Sequence, residues 1–433
     1  MVFFYDTGIG LEHARYLYEF ENIDILLYIQ VLKPFPVFQD TIIGYGIVPK
    51  CNEFGIIKDI MDKIDFIVFT DVGLGATNNF FKKLGFKTFG ADEESQKLEN
   101  DRIYMRLKFQ DLGIPVQRYK VVKGIENLAR ELEKKQYYVK INKIRGNLET
   151  FFSISKDNTL ALINQSDISI FKNEIEFILE EPFDEDFIEI GFDAYVSKGR
   201  FIKPYFFTLE YKGIGNLYFF VESSPFDDIM EKLEPYLQKN NYSGMLCMEG
   251  FFNGKRVYPT DITCRFPYPA SSLHPRMLKS YYKTLKQVAY ENEEIEIEVK
   301  APIGFELGIY SYDKKIIQIY FPEELRYNIG FRYIIKIDGK YYYIPNDELV
   351  GTFNLVYDKE EISERDIVSG IREIEKLAKE IKGYQIYTRE AEILLNAFYE
   401  LLSFGYNPLN HLAKPSKKYV TKFYQFQLNP LIK

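Results

Sequence analysis

Short apolar runs alternate with helical segments through residues 1–100 of this 433-residue chain. Residues 2–5, 25–29 and 66–70 have the length and composition of buried parallel strands. A turn at residues 6–10 precedes a helix that should begin near Leu11, and a further helix and strand are expected at residues 80–89. Strand–helix–strand alternation builds a doubly wound sheet. The pattern therefore predicts an N-terminal α/β domain.

The remainder of the chain carries hairpin signals instead. Lys198-Gly199 and Asn253-Gly254 each separate two apolar runs, which is typical of antiparallel strand pairs. Strands also recur from about residue 301, where Asp338-Gly339 marks another turn. Apolar residues at helical spacing predict helices at residues 94–112 and 364–382. A chain of this length exceeds a single hydrophobic core, so we expect about two to four domains.

Composition restricts the classes of function. The chain has 63 acidic and 55 basic residues and a net charge of −8, which argues against general binding of nucleic acid. No apolar run approaches the ~20 residues that cross a bilayer, and no signal peptide is recognisable. Cys51, Cys247 and Cys264 lack metal or redox spacing and are expected to be free thiols. We therefore expect a cytoplasmic protein.

The most informative segment is the pair of strands around Asn253-Gly254, which carries Glu249 on one strand and Asp261 on the next. A strict two-residue turn would place these two acids on opposite faces of the sheet. A loop of three or five residues would place both on one face. Alternation puts Asp261, Thr263 and Arg265 on the same face.

Two acids and a hydroxyl on one face would suit Mg²⁺, which proteins usually bind through one or two carboxylates plus phosphates. Arg265 beside them would bind a carboxylate or an acyl phosphate through two hydrogen bonds. The alternative interpretation is a polar outer face of a half-exposed hairpin.

Several segments resemble, in chain order, motifs of the ATP-grasp ligases, and within them of the phosphoribosylamine–glycine ligases. The segments are Asp6-Thr7-Gly8-Ile9-Gly10, Leu98-Glu99-Asn100-Asp101-Arg102, Leu112-Gly113-Ile114-Pro115, Glu180-Glu181-Pro182-Phe183 and Asp261-Ile262-Thr263-Cys264-Arg265-Phe266. The resemblance implies a mixed α/β and α+β chain. Its parts would be a doubly wound parallel sheet domain (1–100), a two-lobed ATP-grasp region (101–298, smaller lobe about 118–183) and a β-rich C-terminal domain with a helical tail (299–433).

The resemblance also implies roles for individual residues. Arg102 and Lys140 would contact the phosphates of ATP, while Glu180 and Glu181 would form the adenine hinge and Glu189 would hold the ribose. Metal ligands would be Glu249, Asp261 and Thr263, and Arg265 would act at the reacting carboxylate. ATP and Mg²⁺ (or Mn²⁺) would be the cofactors. A small-molecule carboxylate and an amine would be the substrates of a monomer or homodimer.

The chain departs from that family in two places. The glycine-rich lid over the phosphates retains only Gly146, and Lys143 and Arg145 would have to compensate by charge. The glycine-rich segment expected near residues 212–224, and the acidic motif expected after Phe266, are both replaced. In the family, the segment near residues 212–224 and the motif after Phe266 both belong to the acceptor side, where the acid and amine substrates bind. Three hypotheses therefore stay open: a phosphoribosylamine–glycine ligase, a ligase with another acid and amine, or a nucleotide-binding protein without turnover.

Overall fold

The computed structural model of the protein describes residues 1–30, 43–51, 60–143, 150–183, 186–313, 315–345 and 348–422. Arg145 and Gly146, assigned to the lid, lie outside these residues, as do the side chain of Cys51 and the end of the tail. The buried Cys247 and Cys264 are free thiols, as expected.

Helices and strands alternate along the chain and include several elements that were not predicted from the sequence. The helices are α1 (Leu11–Phe20), α2 (Gly75–Lys83), α3 (Lys97–Asn100), α4 (Arg102–Asp111), α5 (Ile125–Leu132), α6 (Lys156–Gln165), α7 (Asp227–Lys239), α8 (His274–Met277), α9 (Tyr281–Ala289), α10 (Glu364–Ala378) and α11 (Glu392–Ser403). The strands are β1 (Val2–Asp6), β2 (Ile25–Ile29), β3 (Lys50–Cys51), β4 (Phe66–Phe69), β5 (Thr88–Phe89), β6 (Tyr119–Lys123), β7 (Tyr138–Ile141), β8 (Thr150–Phe152), β9 (Glu176–Glu180), β10 (Ile188–Ser197), β11 (Arg200–Phe201), β12 (Tyr205–Tyr211), β13 (Gly215–Val221), β14 (Gly244–Phe252), β15 (Val257–Thr263), β16 (Glu294–Glu298), β17 (Ile303–Ser311), β18 (Ile317–Ile319), β19 (Ile329–Phe331), β20 (Ile334–Ile337), β21 (Lys340–Tyr343), β22 (Leu349–Tyr357), β23 (Ile386–Thr388) and β24 (Lys418–Lys422).

The N-terminal region is a five-stranded parallel sheet in the order β3-β2-β1-β4-β5. Its central strands are buried on both faces, as continuous apolar runs predict. Leu11, Ala14 and Leu17 of α1 cover one face, and Phe81 of α2 packs in the separate apolar cluster on the other. The prediction of a doubly wound parallel sheet is confirmed.

A smaller lobe follows, built from the antiparallel sheet β6-β9-β7-β8 with α5 and α6. This lobe has its own apolar cluster, separate from the main core. Its buried members are Val122, Leu128, Leu132, Tyr137, Val139, Ile141, Ile163, Ile175, Phe177 and Leu179. The lobe contacts the large sheet through polar groups at the candidate site and through Phe183, whose ring packs on Phe251 and Tyr258.

The largest element is a ten-stranded antiparallel sheet whose main path is β15-β14-β10-β12-β13-β17-β22-β19. Strands β17, β22 and β19, which belong to the C-terminal β-rich region, hydrogen-bond into the same sheet as the hairpin β14–β15. This sheet and one face of the parallel sheet share a single apolar core. The hairpins at Lys198-Gly199, Asn253-Gly254 and Asp338-Gly339 all form where the sequence places them.

Two helix predictions need correction. The helix predicted at residues 94–112 is divided into α3 and α4 at Asp101, which is extended and whose carboxylate accepts the Tyr104 N–H at 3.0 Å. The second half therefore starts anew with an Asp N-cap. The helix predicted at residues 364–382 ends at Ala378. In the tail, β24 pairs with β16, and lysines face glutamates across the pair.

Among the described residues, no helix has both the length and the apolar composition needed to cross a membrane.

Candidate active site

A cavity of about 550 Å³ lies between the smaller lobe and one face of the ten-stranded sheet. Seven of the nine residues predicted from the sequence line it: Lys140, Glu180, Glu189, Glu249, Asp261, Thr263 and Arg265. Arg102 is buried just behind the cavity wall, and Glu181 lies outside on the smaller lobe. The fold thus brings together residues up to 125 positions apart in sequence, from Lys140 to Arg265.

The two acids of the β14–β15 hairpin are direct cross-strand neighbours. Phe252 pairs with Val257 across a four-residue connection, which is none of the loop lengths considered from the sequence. A bulge next to Gly250 then leaves Thr260 as an extra residue and moves Asp261 opposite Glu249. The prediction that both acids share one face is confirmed, but the bulge and not the turn length is the reason.

Buried cations of the smaller lobe and of α4 compensate Asp261. Lys140 Nζ lies 3.9 Å from Asp261 Oδ2 and 3.4 Å from Glu180 Oε2, and it donates a hydrogen bond to Thr260 O at 3.0 Å. Arg102 Nε lies 3.6 Å from Asp261 Oδ1, and its Nη1 donates to Ile141 O at 3.1 Å. Both cations are therefore held at the edge of the cavity without any ligand.

The segment predicted to read adenine is engaged within the lobe. The buried Glu180 carboxylate pairs with Arg106 and Lys140. Burial opposes ionisation of this carboxyl, but the charges of Lys140 and Arg106 outweigh it and lower the pKa of Glu180. The Glu181 carboxylate pairs with Lys135 on the outer surface, and its N–H donates to Arg118 O at 3.0 Å. A hinge role for these residues stays a prediction.

A lysine that the sequence reasoning missed bridges two of the predicted acids. Lys212 Nζ lies 3.6 Å from Glu189 Oε1 and 3.4 Å from Glu249 Oε2, in the turn between β12 and β13. Burial raises the pKa of Glu249, and the charges of Glu189 and Asp261 add to this effect. Burial, together with Glu249, also raises the pKa of the nearby Glu210 to about 8. The cavity is therefore rich in carboxyl groups that raise one another's pKa values.

Arg265 lies at the other end of the cavity, where the hairpin meets the carboxyl edge of the parallel sheet. Its Nε contacts Glu99 Oε1 at 2.9 Å and Asp71 Oδ1 at 3.2 Å, and its Nη1 donates to Phe266 O. Within the described residues its Nη2 makes no hydrogen bond. The two acids orient the guanidinium, and Nη2 remains available to a ligand.

Further polar residues line the floor of the cavity and were also missed. Asp193 on β10 accepts hydrogen bonds from Tyr218 OH at 2.7 Å and His274 Nε2 at 3.0 Å. Asn216 on β13 donates to the buried Glu306 at 2.8 Å. The alternation of Glu189, Gly191 and Asp193 along β10 could have predicted that one face of this strand is polar.

The residues present fit a nucleotide-bound metal better than a free one. In the described parts of the chain, no three His, Cys, Asp or Glu side chains converge as a complete metal site. Glu249 and Asp261 supply two carboxylates, and Thr263 Oγ1 is buried without a hydrogen-bond partner among the described residues. Gly191, opposite Glu249, has no room for a side chain, since a Cβ there would lie 2.4 Å from Thr208 Oγ1. Phosphate oxygens would complete the coordination.

A small antiparallel lobe that faces a larger antiparallel sheet across a charged cavity, behind an N-terminal parallel sheet, is the ATP-grasp fold. The chain has this fold. Its structure is similar to phosphoribosylamine–glycine ligase from Thermotoga maritima, with a TM-score of 0.68 and 16% identity over 90% of this chain and 100% of that one.

Two further kinds of solved structure are similar to the chain. One is the biotin carboxylase domain of 2-oxoglutarate carboxylase from Hydrogenobacter thermophilus, in complex with MgADP and bicarbonate (TM-score 0.62, 11% identity, 91% of this chain and 93% of that one). The other is N5-carboxyaminoimidazole ribonucleotide synthetase from Thermotoga maritima (TM-score 0.55, 14% identity, 89% and 99%). No model of a known protein family matches the sequence, and no curated protein matches it. The fold is thus shared at great sequence divergence.

Proposed function

We propose that this protein is an ATP-dependent ligase that joins a carboxylate to an amine through an acyl phosphate. The observation that carries the proposal is the opposed pair Glu249 and Asp261, which faces Lys140 of the smaller lobe in one cavity. Acids beside a buried lysine match what a metal–triphosphate needs, because the metal binds carboxylates and lysine binds phosphate. The structural neighbours include a phosphoribosylamine–glycine ligase and a biotin carboxylase domain bound to MgADP, which supports this class.

Each of the nine residues predicted from the sequence has a role in this proposal. Lys140 and Arg102 bind the phosphates of ATP, and Glu249, Asp261 and Thr263 bind Mg²⁺ or Mn²⁺ together with phosphate oxygens. The segment Glu180-Glu181 contacts adenine and Glu189 contacts the ribose. A bound divalent cation neutralises phosphate charge during transfer. Arg265 binds the carboxylate through the free side of its guanidinium.

The chemistry proceeds in two steps. An oxygen of the acid attacks the γ-phosphorus of ATP, the bond to ADP breaks, and an acyl phosphate forms. The amine nitrogen then attacks the acyl carbon, phosphate leaves with an oxygen of the original carboxylate, and the nitrogen loses a proton. The cavity serves both steps by fixing the reactants and by placing cations where negative charge develops.

The acid and the amine remain open within this class. A glycine and phosphoribosylamine pair, as in purine biosynthesis, is favoured by the similarity of the fold to a phosphoribosylamine–glycine ligase. The acceptor side argues for another pair, because residues 215–221 form the fully buried strand β13 in place of a glycine-rich segment. We further propose that the protein acts in the cytoplasm, since its buried cysteines Cys247 and Cys264 are free thiols. We propose that it acts as a monomer or homodimer.

The test is ADP formation from Mg·ATP with panels of carboxylic acids and amines. ADP that depends on glycine and phosphoribosylamine identifies a phosphoribosylamine–glycine ligase. ADP that depends on another acid supports the same reaction with a different pair. Nucleotide binding without ADP formation in any combination would overturn the ligase proposal and favour a binding protein.

A further inference from the structure

One carboxylate in the cavity pairs with no lysine or arginine among the residues that the structure describes. Asp193 is only 4% exposed, yet it lines the cavity. Tyr218 and His274 both donate hydrogen bonds to its Oδ2. In the described ranges it forms no ion pair with a lysine or arginine, in contrast to Glu180, Glu249 and Asp261.

His274 contacts Asp193 from a buried position at the edge of an apolar cluster. Its ring is fully buried and stacks on Phe206 at a centroid distance of 4.1 Å. Its Nδ1 has no hydrogen-bond partner among the described residues, so a second proton there would point at no acceptor. The ring therefore donates to Asp193 through Nε2. The hydrogen bonds fix the carboxylate in place, and no lysine or arginine of the described ranges balances its charge.

A buried carboxylate without a cation is costly, and proteins retain one where a ligand supplies the cation. The groups across the strand pairs do not relieve the charge: Asp193 stands opposite Cys247 on one side and Phe206 on the other. Glu306, which is also buried behind this floor, supplies no positive charge, and the charge of Asp193 contributes to raising its pKa. A single carboxylate without converging ligands is a poor metal site, but it is well suited to an ammonium group.

We infer that Asp193 binds the ammonium group of a substrate of this enzyme. The inference rests on the proposed ligase function. Asp193 and Thr263 lie two strands apart across the sheet, which is about 10 Å at ordinary strand spacing. Along the strand direction, Asp193 lies two residues from the position opposite Glu249, which is about 7 Å. A compact amino compound spans that distance. The ammonium group belongs either to an amino acid that serves as the carboxylate substrate or to the amine, which binds as the ammonium form and loses a proton before its nitrogen attacks.

The substitution Asp193→Asn tests the inference because the amide oxygen can still accept the bonds from Tyr218 and His274. Since it removes an unbalanced buried charge, it should raise the Tm of the free protein by about 2 °C or more. Asp227→Asn is the matched control: Asp227 also accepts from a tyrosine, Tyr205, but pairs with Lys203 and does not line the cavity. The control should show no rise. A Tm that falls in Asp193→Asn as in the control would mean that Asp193 is structural.

Kinetics identify the source of the ammonium group. Hydroxylamine, which is largely uncharged near neutral pH, can replace the amine. If the group belongs to the acid, Asp193→Asn raises the KM of the amino acid at least about tenfold, whether the amine or hydroxylamine is the acceptor. The KM of the analogue of that acid without its amino group stays unchanged. If the group belongs to the amine, only the KM of the amine rises, and hydroxylamine is unaffected. Unchanged KM values for both substrates would overturn the inference.

Failure of the ligase proposal can be distinguished from failure of this inference. If no acid supports ADP formation, methylammonium chloride serves as the probe, with sodium chloride at equal ionic strength as its reference. Methylammonium should then raise the Tm of the wild-type protein and not that of Asp193→Asn. An equal response of both proteins would exclude an ammonium site at Asp193.

Discussion

Removal of the Lys140 side chain is the sharpest perturbation of the proposed nucleotide site. Lys140 is 4% exposed and contacts Glu180, Asp261 and Thr260 O, so it is already in position before ATP binds. In Lys140→Ala, Glu180 keeps its ion pair with Arg106 and Asp261 keeps its contact with Arg102. Neither acid is left without a cation, and we therefore expect the variant to fold.

The magnitude follows from the interaction that ATP would lose. A hydrogen bond to a charged group contributes about 1.5–3 kcal/mol, and each 1.4 kcal/mol is about a tenfold change in affinity. The Kd for ATP should therefore rise between about 10-fold and about 100-fold. Lys140→Arg keeps the charge and should lose less.

Isothermal titration calorimetry with a non-hydrolysable ATP analogue measures this change. Lys135→Ala is the control, because Lys135 belongs to the same lobe but pairs with Glu181 outside the cavity. The control should bind ATP as the wild-type protein does. If Lys140→Ala binds the analogue with unchanged affinity and a native circular dichroism spectrum, the phosphate site has been assigned to the wrong residue.

Three further predictions concern other parts of the cavity. Asp261→Asn should abolish Mg²⁺-dependent ADP formation while leaving the Tm within a few degrees of the wild type; full activity would contradict the metal site. Arg265→Lys keeps a charge beside Glu99 but loses the fork of donors, so kcat/KM for the acid should fall at least about tenfold with an unchanged Kd for ATP; equal losses in both would contradict a role at the carboxylate. Burial raises the pKa of Glu306 from 4.5 to about 7, so the folded protein keeps a proton that the unfolded chain loses. This contribution is complete below pH ~4.5 and is lost as the pH rises through ~7, by about 3 kcal/mol in all. Glu306→Gln should therefore match the wild-type Tm at the low pH and exceed it above pH ~7; a difference independent of pH would contradict the assignment.

Local sequence patterns predicted many of the strands and hairpins of the fold. The apolar runs of β1, β2 and β4 and the hairpin at Asn253-Gly254 are encoded by residues close in sequence, and the structure has them where expected. The break at Asp101 was not apparent, because the apolar spacing continues across it and only the capping bond to Tyr104 divides the helix.

The site was predictable only in part, for a physical reason. Glu249 and Asp261 could be paired from the sequence, although their register depends on a bulge at Thr260 that no local signal announces. Lys212 and Asp193 could not be assigned because their roles arise from strands that meet in the tertiary fold. The set of side chains that meet in the cavity therefore depends on the topology of the sheet and not on any one segment.

The transfer of a labelled oxygen tests the central claim most directly. A carboxylic acid that supports ADP formation is supplied with isotopically labelled carboxylate oxygens, together with Mg·ATP and the amine, and the released phosphate is analysed by mass spectrometry. Formation of an acyl phosphate predicts one labelled oxygen in each phosphate released, because that oxygen forms the new bond to phosphorus. Product formation with unlabelled phosphate would contradict the mechanism proposed for this cavity.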